Sequence, residues 1–208
     1  PFRWEGKHYN YRVVNPWMMP VQKPHPPIWV PGTSSPETAE WAGSHGYTYV
    51  AFLTALDVTL ELFDMYREAS VAAGHTPTKD NFGYLLCCYV AETQEKAIKE
   101  ASGYFEENLK MFGPLRLHRG LTDEQIDIMS DPRRAPDGGL PSIEDAVNSQ
   151  AFLAGPPDRI IEQLKAVEEE YPALERIGMS HPMGTPQSVI TDQLEWFGKE
   201  VIPAFKGG

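Results

Sequence analysis

The chain has 208 residues, 41% hydrophobic and 23% charged, which is ordinary globular composition with room for one sizeable core and excludes disorder. A formal net charge of −11, with Arg133-Arg134 the sole adjacent arginine pair, excludes a nucleic-acid partner, because phosphate backbones are bound by clustered Lys and Arg. No apolar run approaches the ~18–20 residues that span a bilayer, so no membrane partner is expected.

The start, Pro1-Phe2-Arg3-Trp4-Glu5, has neither a signal-peptide layout nor an initiator Met and reads as a fragment. Residues 1–26, rich in aromatics and Pro, read as an extended arm or hairpin. Pro27-Ile28-Trp29-Val30 is a short strand. Ser35-Pro36-Glu37 then signals a helix start, with Ser35 as N-cap, Pro36 at the first helical position and an acid in the first turn. Gly46 ends that helix, and Tyr47 to Phe52 forms a second strand. Asp57 caps a longer helix with apolar positions Val58, Leu62, Met65, Ala69 and Ala72, closed by Gly74. A third strand is expected from Tyr84 to Ala91, nearly continuously apolar, as in parallel sheets covered on both faces. Thr93 opens the next helix, with Ile98, Ala101, Phe105, Leu109 and Phe112 as its stripe.

Residues 113–150 are polar, contain Pro132, Pro136, Gly138, Gly139 and Pro141, and hold two short capped helices, after Thr122 and after Ser142. They read as an excursion rather than a separate domain. Ala151 to Gly155 returns the chain to the core, followed by a helix with stripe Ile160, Leu164, Val167 and Tyr171. Glu175 to Ser180 is the last strand, and Thr185-Pro186 starts a final helix that Pro203 ends. Strand then helix, four times over, predicts parallel strands with right-handed crossovers. Four units are half of an eight-unit (β/α)8 barrel, with 27–112 and 151–208 as barrel units and 113–150 as a helical insertion. An open doubly wound sheet is the alternative.

The chemistry concentrates in Val30-Pro31-Gly32-Thr33-Ser34-Ser35-Pro36-Glu37-Thr38. A Gly, three hydroxyl residues and a helix N-terminus directly follow a strand. Free backbone N–H groups and the helix dipole make such a turn an anion site, to which Ser35 and Thr38 add hydroxyl donors. The same residues also make a good helix cap with no ligand, and Glu37 competes for the same positive end.

Gly6-x-x-Tyr9 and the run Pro20 to Val30 (PVQKPHPPIWV) resemble the arm and fifth strand of the luciferase-like monooxygenase family. So do Ser35-x-x-Thr38 followed by Glu40-Trp41-Ala42, Ala151 to Gly155 with Pro157, and the ending Trp196 to Pro203. The resemblance implies a (β/α)8 TIM-type barrel, of which this chain is the second half. It also implies reduced FMN, or in sister groups a deazaflavin, at the C-terminal ends of the strands. Ser35 and Thr38 fall on positions that hold the flavin phosphate, with Gly32, Thr33 and Ser34 in the same turn and amides near Ser34 and Ser35 assisting. Other cofactor contacts come largely from the first four strands. The implied activity is a two-component monooxygenase, with a flavin reductase and oxygen as partners and a small organic substrate. A deazaflavin-dependent oxidoreductase and a non-catalytic flavin-binding half-barrel are the alternatives. The fragment alone is expected to be inactive, and to associate as a homo-oligomer or with the missing N-terminal half.

His181, after the last strand, is a candidate pocket residue or proton donor, against a plain loop histidine. Trp17, Met179 and Met183 are candidates for an apolar substrate pocket, although Trp17 with Met18 and Met19 would equally pack the arm onto the barrel. Cys87 and Cys88, adjacent in a strand, point to opposite faces, so no disulfide forms and a cytoplasmic setting fits. They read as inert strand residues, and Glu168-Glu169-Glu170 as a solvated helix end. Six histidines lack ligand spacing, so no metal is expected.

Overall fold

Nine consecutive residues without a charge, Phe82–Val90, suit only a strand covered on both faces. In the computed structural model, which describes residues 1–115, 121–129, 131, 133, 140–172, 174 and 176–206, they form the centre of the main sheet.

The element order is β1 (Phe2–Glu5), β2 (Asn10–Val14), β3 (Trp29–Gly32), α1 (Pro36–Ser44), β4 (Thr48–Phe52), α2 (Leu56–Ala72) and β5 (Phe82–Val90). There follow α3 (Gln94–Phe112), α4 (Asp123–Met129), α5 (Ile143–Asn148), β6 (Phe152–Gly155), α6 (Pro157–Glu170), β7 (Ile177–Ser180) and α7 (Gln187–Trp196). A π-helical turn (Phe197–Val201) and a 3-10 turn (Ile202–Phe205) continue α7, so Pro203 lies inside the terminal turns rather than ending a helix. The arm is an antiparallel hairpin of β1 and β2. Strands β3 to β7 are all parallel, one more than the four expected, because Phe152–Gly155 also joins the sheet. Of the residues named for these stretches, Pro132, Arg134, Pro136, Gly138, Gly139 and Glu175 lie outside the described residues.

Three strands pair with β5: β4 along Phe82–Leu85, β7 along Tyr84–Cys87 and β6 along Cys87–Val90. Backbone groups of alternate residues point to opposite edges. The carbonyl of Leu85 accepts from Leu53, beyond β4, and the amide of Ala91 donates to Gly155 of β6, whereas the amide of Tyr84 donates to Arg176, just before β7. Residues 85 and 91 share a parity, so β4 and β6 lie end to end on one edge and β7 takes the other. Where β7 stops, the Gln193 carboxamide of α7 replaces it: Oε1 accepts from the Val90 amide at 2.6 Å and Nε2 donates to the Val90 carbonyl at 2.8 Å.

The two faces of β5 enter two cores. Phe82, Tyr84, Leu86, Cys88 and Val90 pack with Leu62, Phe63 and Tyr66 of α2 and with Ile160, Leu164 and Val167 of α6. Cys87 and Tyr89 join Ala97, Ala101, Phe105 and Leu109 of α3, and Ile143 and Val147 of α5. The α3 residues recur every four positions, which puts them on one helical stripe. Thr93 caps that helix by accepting from the Lys96 amide. The cap expected at Asp57 is displaced: Ala55 is N-cap, and Asp57 lies in the first turn and accepts from the Val58 amide.

Candidate functional site

Parallel strands bring all their carboxyl ends to one rim. Register aligns Gly32 with Ala51, Ala51 with Tyr84 and Tyr84 with Ile177. The turn after β3 and the loop after β7 therefore open on the same side, which brings Ser35, Thr38 and His181 to a common rim.

The turn itself runs from buried Gly32 through half-buried Thr33, Ser34 and Ser35 into α1. Ser35 holds the N-cap position in extended backbone (φ −88°, ψ 113°), with Pro36 behind it. Its carbonyl accepts from the amides of Thr38 and Ala39, and the amides of Ser34 and Ser35 donate to no group among the described residues. The Ser35 hydroxyl does not cap the helix as expected; it donates to Glu37 Oε2 at 2.7 Å. An internal carboxylate thus takes a donor that an incoming anion would use.

Beneath the turn lies Tyr49 of β4. Its ring is fully buried, edge-on to Phe63 (6.3 Å between centroids) and stacked with Tyr66 (6.4 Å). Its hydroxyl is buried without a hydrogen-bond partner among the described residues, and burial pushes its pKa up to about 12. A Cβ on Gly32 would stand 2.5 Å from Tyr49 Oη and 2.8 Å from Cε2, so only glycine fits here. Neither Tyr49 nor this steric lock was read from the sequence, because strand partners across a parallel pair carry no local signal.

On the opposite side of the rim, His181 is half-buried, with both ring nitrogens buried and without hydrogen-bond partners among the described residues. Burial lowers its pKa below the usual histidine value, so at neutral pH it is the uncharged imidazole and no ready acid. The loop around it is held from α3. Buried Asn108 accepts from the Met183 amide at 3.3 Å, and the Thr185 hydroxyl donates to the Pro182 carbonyl at 2.7 Å. Met183 lies in this loop, partly exposed.

Two expected pocket residues are displaced. Met179 aligns with Leu86 and packs against the core between sheet and helices, so it faces away from the inner surface. The inner face there belongs to Gly178 and Ser180, since alternate strand residues face opposite sides and a Cβ on Gly178 would meet Leu85 Cδ1 at 2.7 Å. Trp17 is 93% exposed on the arm. The arm does not pack down as a lip: Trp4, Met18, Met19 and Val21 are exposed with it.

Comparison with known proteins follows the same lines. The family model of luciferase-like monooxygenases matches residues 1–173. The 3,6-diketocamphane 1,6-monooxygenase of Pseudomonas putida is 28% identical over 133 residues, covering 62% of this chain and 33% of that protein. Among solved structures, the oxygenating constituent of 3,6-diketocamphane monooxygenase from a Pseudomonas putida plasmid, in complex with FMN, superposes with a TM-score of 0.64 at 22% identity, over 98% of this chain and 58% of that one. An F420-dependent secondary alcohol dehydrogenase superposes with a TM-score of 0.68 at 17% identity, over 100% of this chain and 56% of that one. The chain therefore spans a little over half of these solved chains and aligns with about a third of the curated relative. The shared fold is the (β/α)8 barrel, of which these residues form an open part.

Proposed function

Because the chain belongs to the luciferase-like monooxygenase family, we propose that it carries the phosphate-binding wall of a flavin site in a two-component monooxygenase. Its partners would be a flavin reductase that delivers reduced FMN, molecular oxygen and a small organic substrate. The observation that carries this reading is the turn Gly32–Thr38. Two amides without acceptors among the described residues, the hydroxyls of Ser35 (held by Glu37) and Thr38, and the positive end of α1 lie at a strand's carboxyl end. That donor set suits a phosphate dianion, which would displace Glu37 from the Ser35 hydroxyl.

The bound reduced flavin would supply the electrons that activate oxygen. This chain's residues would bind and orient it. The amides of Ser34 and Ser35 and the hydroxyls of Ser35 and Thr38 would hold the phosphate, with Gly32 and Thr33 shaping the turn. His181, uncharged at neutral pH and with both ring nitrogens buried, would pack the rim beside Met183, while α3 and the loop after β7 exclude water. Groups around the flavin ring would come mainly from strands outside this chain. Buried free thiols at Cys87 and Cys88 accord with a reducing cytoplasm.

Anaerobic titration of the full-length protein with reduced FMN, reduced riboflavin and a reduced deazaflavin tests this. FMN binding clearly tighter than riboflavin is the expected result. Equal binding of FMN and riboflavin would remove the phosphate reading, and binding of the deazaflavin alone would replace oxygenation by hydride transfer.

A further inference from the structure

The contact between Gly32 and Tyr49 has no evident purpose in a plain helix cap. The chain places a tyrosine ring under the first residue of the turn, and locks that ring between Phe63 and Tyr66. The phenol gains no hydrogen bond there from the described residues. A buried polar group without a partner is costly, and phenylalanine would fill the same space without that cost. Gly32 is correspondingly barred from carrying a side chain, since even a Cβ would meet Oη at 2.5 Å, Cε2 at 2.8 Å and Cζ at 3.0 Å. Such approaches force a shift, and the fully buried ring has nowhere to go. Any pressure from Gly32 onto Tyr49 must therefore be relieved by the turn, which carries the Ser34 and Ser35 amides.

We propose that Tyr49 is a positioning residue of the anion site: its immobile phenol is the floor on which Gly32 rests, and the height of that floor sets where the Ser34 and Ser35 amides and the start of α1 meet a phosphate. Tyr49 itself does not touch the ligand, since its hydroxyl is sealed from the surface. The inference rests on the reading of Gly32–Thr38 as a phosphate turn, and it predicts that the site is tuned sterically from beneath as well as by its donors.

The test is a double-mutant cycle in the full-length protein, read as the ratio of reduced riboflavin to reduced FMN dissociation constants under anaerobic conditions. Gly32→Ala is expected to lower that ratio at least about tenfold, because displaced amides lose charge-assisted hydrogen bonds that riboflavin never makes. Gly32→Ala with Tyr49→Phe, which removes the closest atom, is expected to restore part of it. A helix-stability effect alone would change both ligands together and would not be rescued by Phe. An unchanged ratio in folded Gly32→Ala, or no rescue in the double variant, would overturn the proposal. If Gly32→Ala fails to fold, Tyr49→Val on the native Gly32 decides: a lowered ratio supports the floor and an unchanged one removes it. A wild-type ratio near one would instead sink the phosphate reading on which the proposal stands.

Discussion

At the scale of single residues, Glu37 stands where an anion would bind, drawing the Ser35 hydroxyl 2.7 Å to its own carboxylate. Near a helix N-terminus a negative side chain competes with a negative ligand for the same field, worth about 0.3–1 kcal/mol. Glu37→Gln is therefore expected to tighten FMN binding by about that amount, measured by titration. The double change Ser35→Ala and Thr38→Ala is expected to weaken FMN by roughly 2–4 kcal/mol, two charge-assisted hydrogen bonds at ~1–2 each. Unchanged affinity in calorimetry would mean that these hydroxyls serve only the helix. His181 adds a pH dependence with a definite sign. Its pKa is lowered in the fold by burial. As pH falls through the ordinary histidine value near ~6.5, the unfolded chain takes up a proton that the folded one refuses, so stability falls until the lowered pKa is reached. The melting temperature should thus drop between pH 7 and pH 5, and His181→Phe should flatten that slope. An identical slope in the variant would place the titration elsewhere.

Elements meet through a few buried polar groups. Gln193 substitutes for a strand, satisfying both backbone groups of Val90 where β7 has ended. Removing it leaves a buried donor and a buried acceptor, each costing ~1–3 kcal/mol. Gln193→Leu, close in volume, is expected to lower unfolding free energy by about 2–4 kcal/mol in urea titration. A loss under about 0.5 kcal/mol would show that water or a shifted α7 takes over. The same link ties α7 to the edge of β5, while Asn108 ties the loop holding Met183 to α3. The rim is therefore held from two helices, and the loop after β7 forms a fixed wall rather than a free lid.

At the scale of the whole molecule, an open sheet has two consequences. β3 and β7 pair on one side only among the described strands, and Ile28, Trp29 and Ile177 along these edges are partly exposed. The arm adds Trp4, Trp17, Met18, Met19 and Val21, all exposed. Apolar area costs about 25 cal/mol per Å2 in water, and unpaired edges recruit other strands. The 208-residue chain on its own is therefore expected to self-associate, or to need the remainder of a barrel, as light scattering over a dilution series would show. A monomer that survives dilution would mean that the edges are sealed in solution. The acidic surface, with a net charge of −11, slows such association without removing its cause.

Periodicity and local chemistry made much of this legible in advance. The alternation of strand and helix, the α3 stripe, the Thr93 cap and the helix start at Ser35 after β3 all depend on neighbours within a few residues, and such signals survive in one dimension. Other features were decided only by the tertiary structure. Which face Met179 presents depends on register with Leu86, and a shift of one residue reverses it. Phe152–Gly155 became a fifth parallel strand because the edge of β5 beyond β4 still had backbone groups to satisfy. Tyr49 reached Gly32, Gln193 reached Val90 and Asn108 reached Met183 across long stretches of chain. The amino-acid sequence alone determined where the hydroxyl-bearing turn after β3 and the start of α1 lie; only the packing of distant elements decided what holds them in place, because contact between residues far apart in the chain leaves no mark on either one's neighbours.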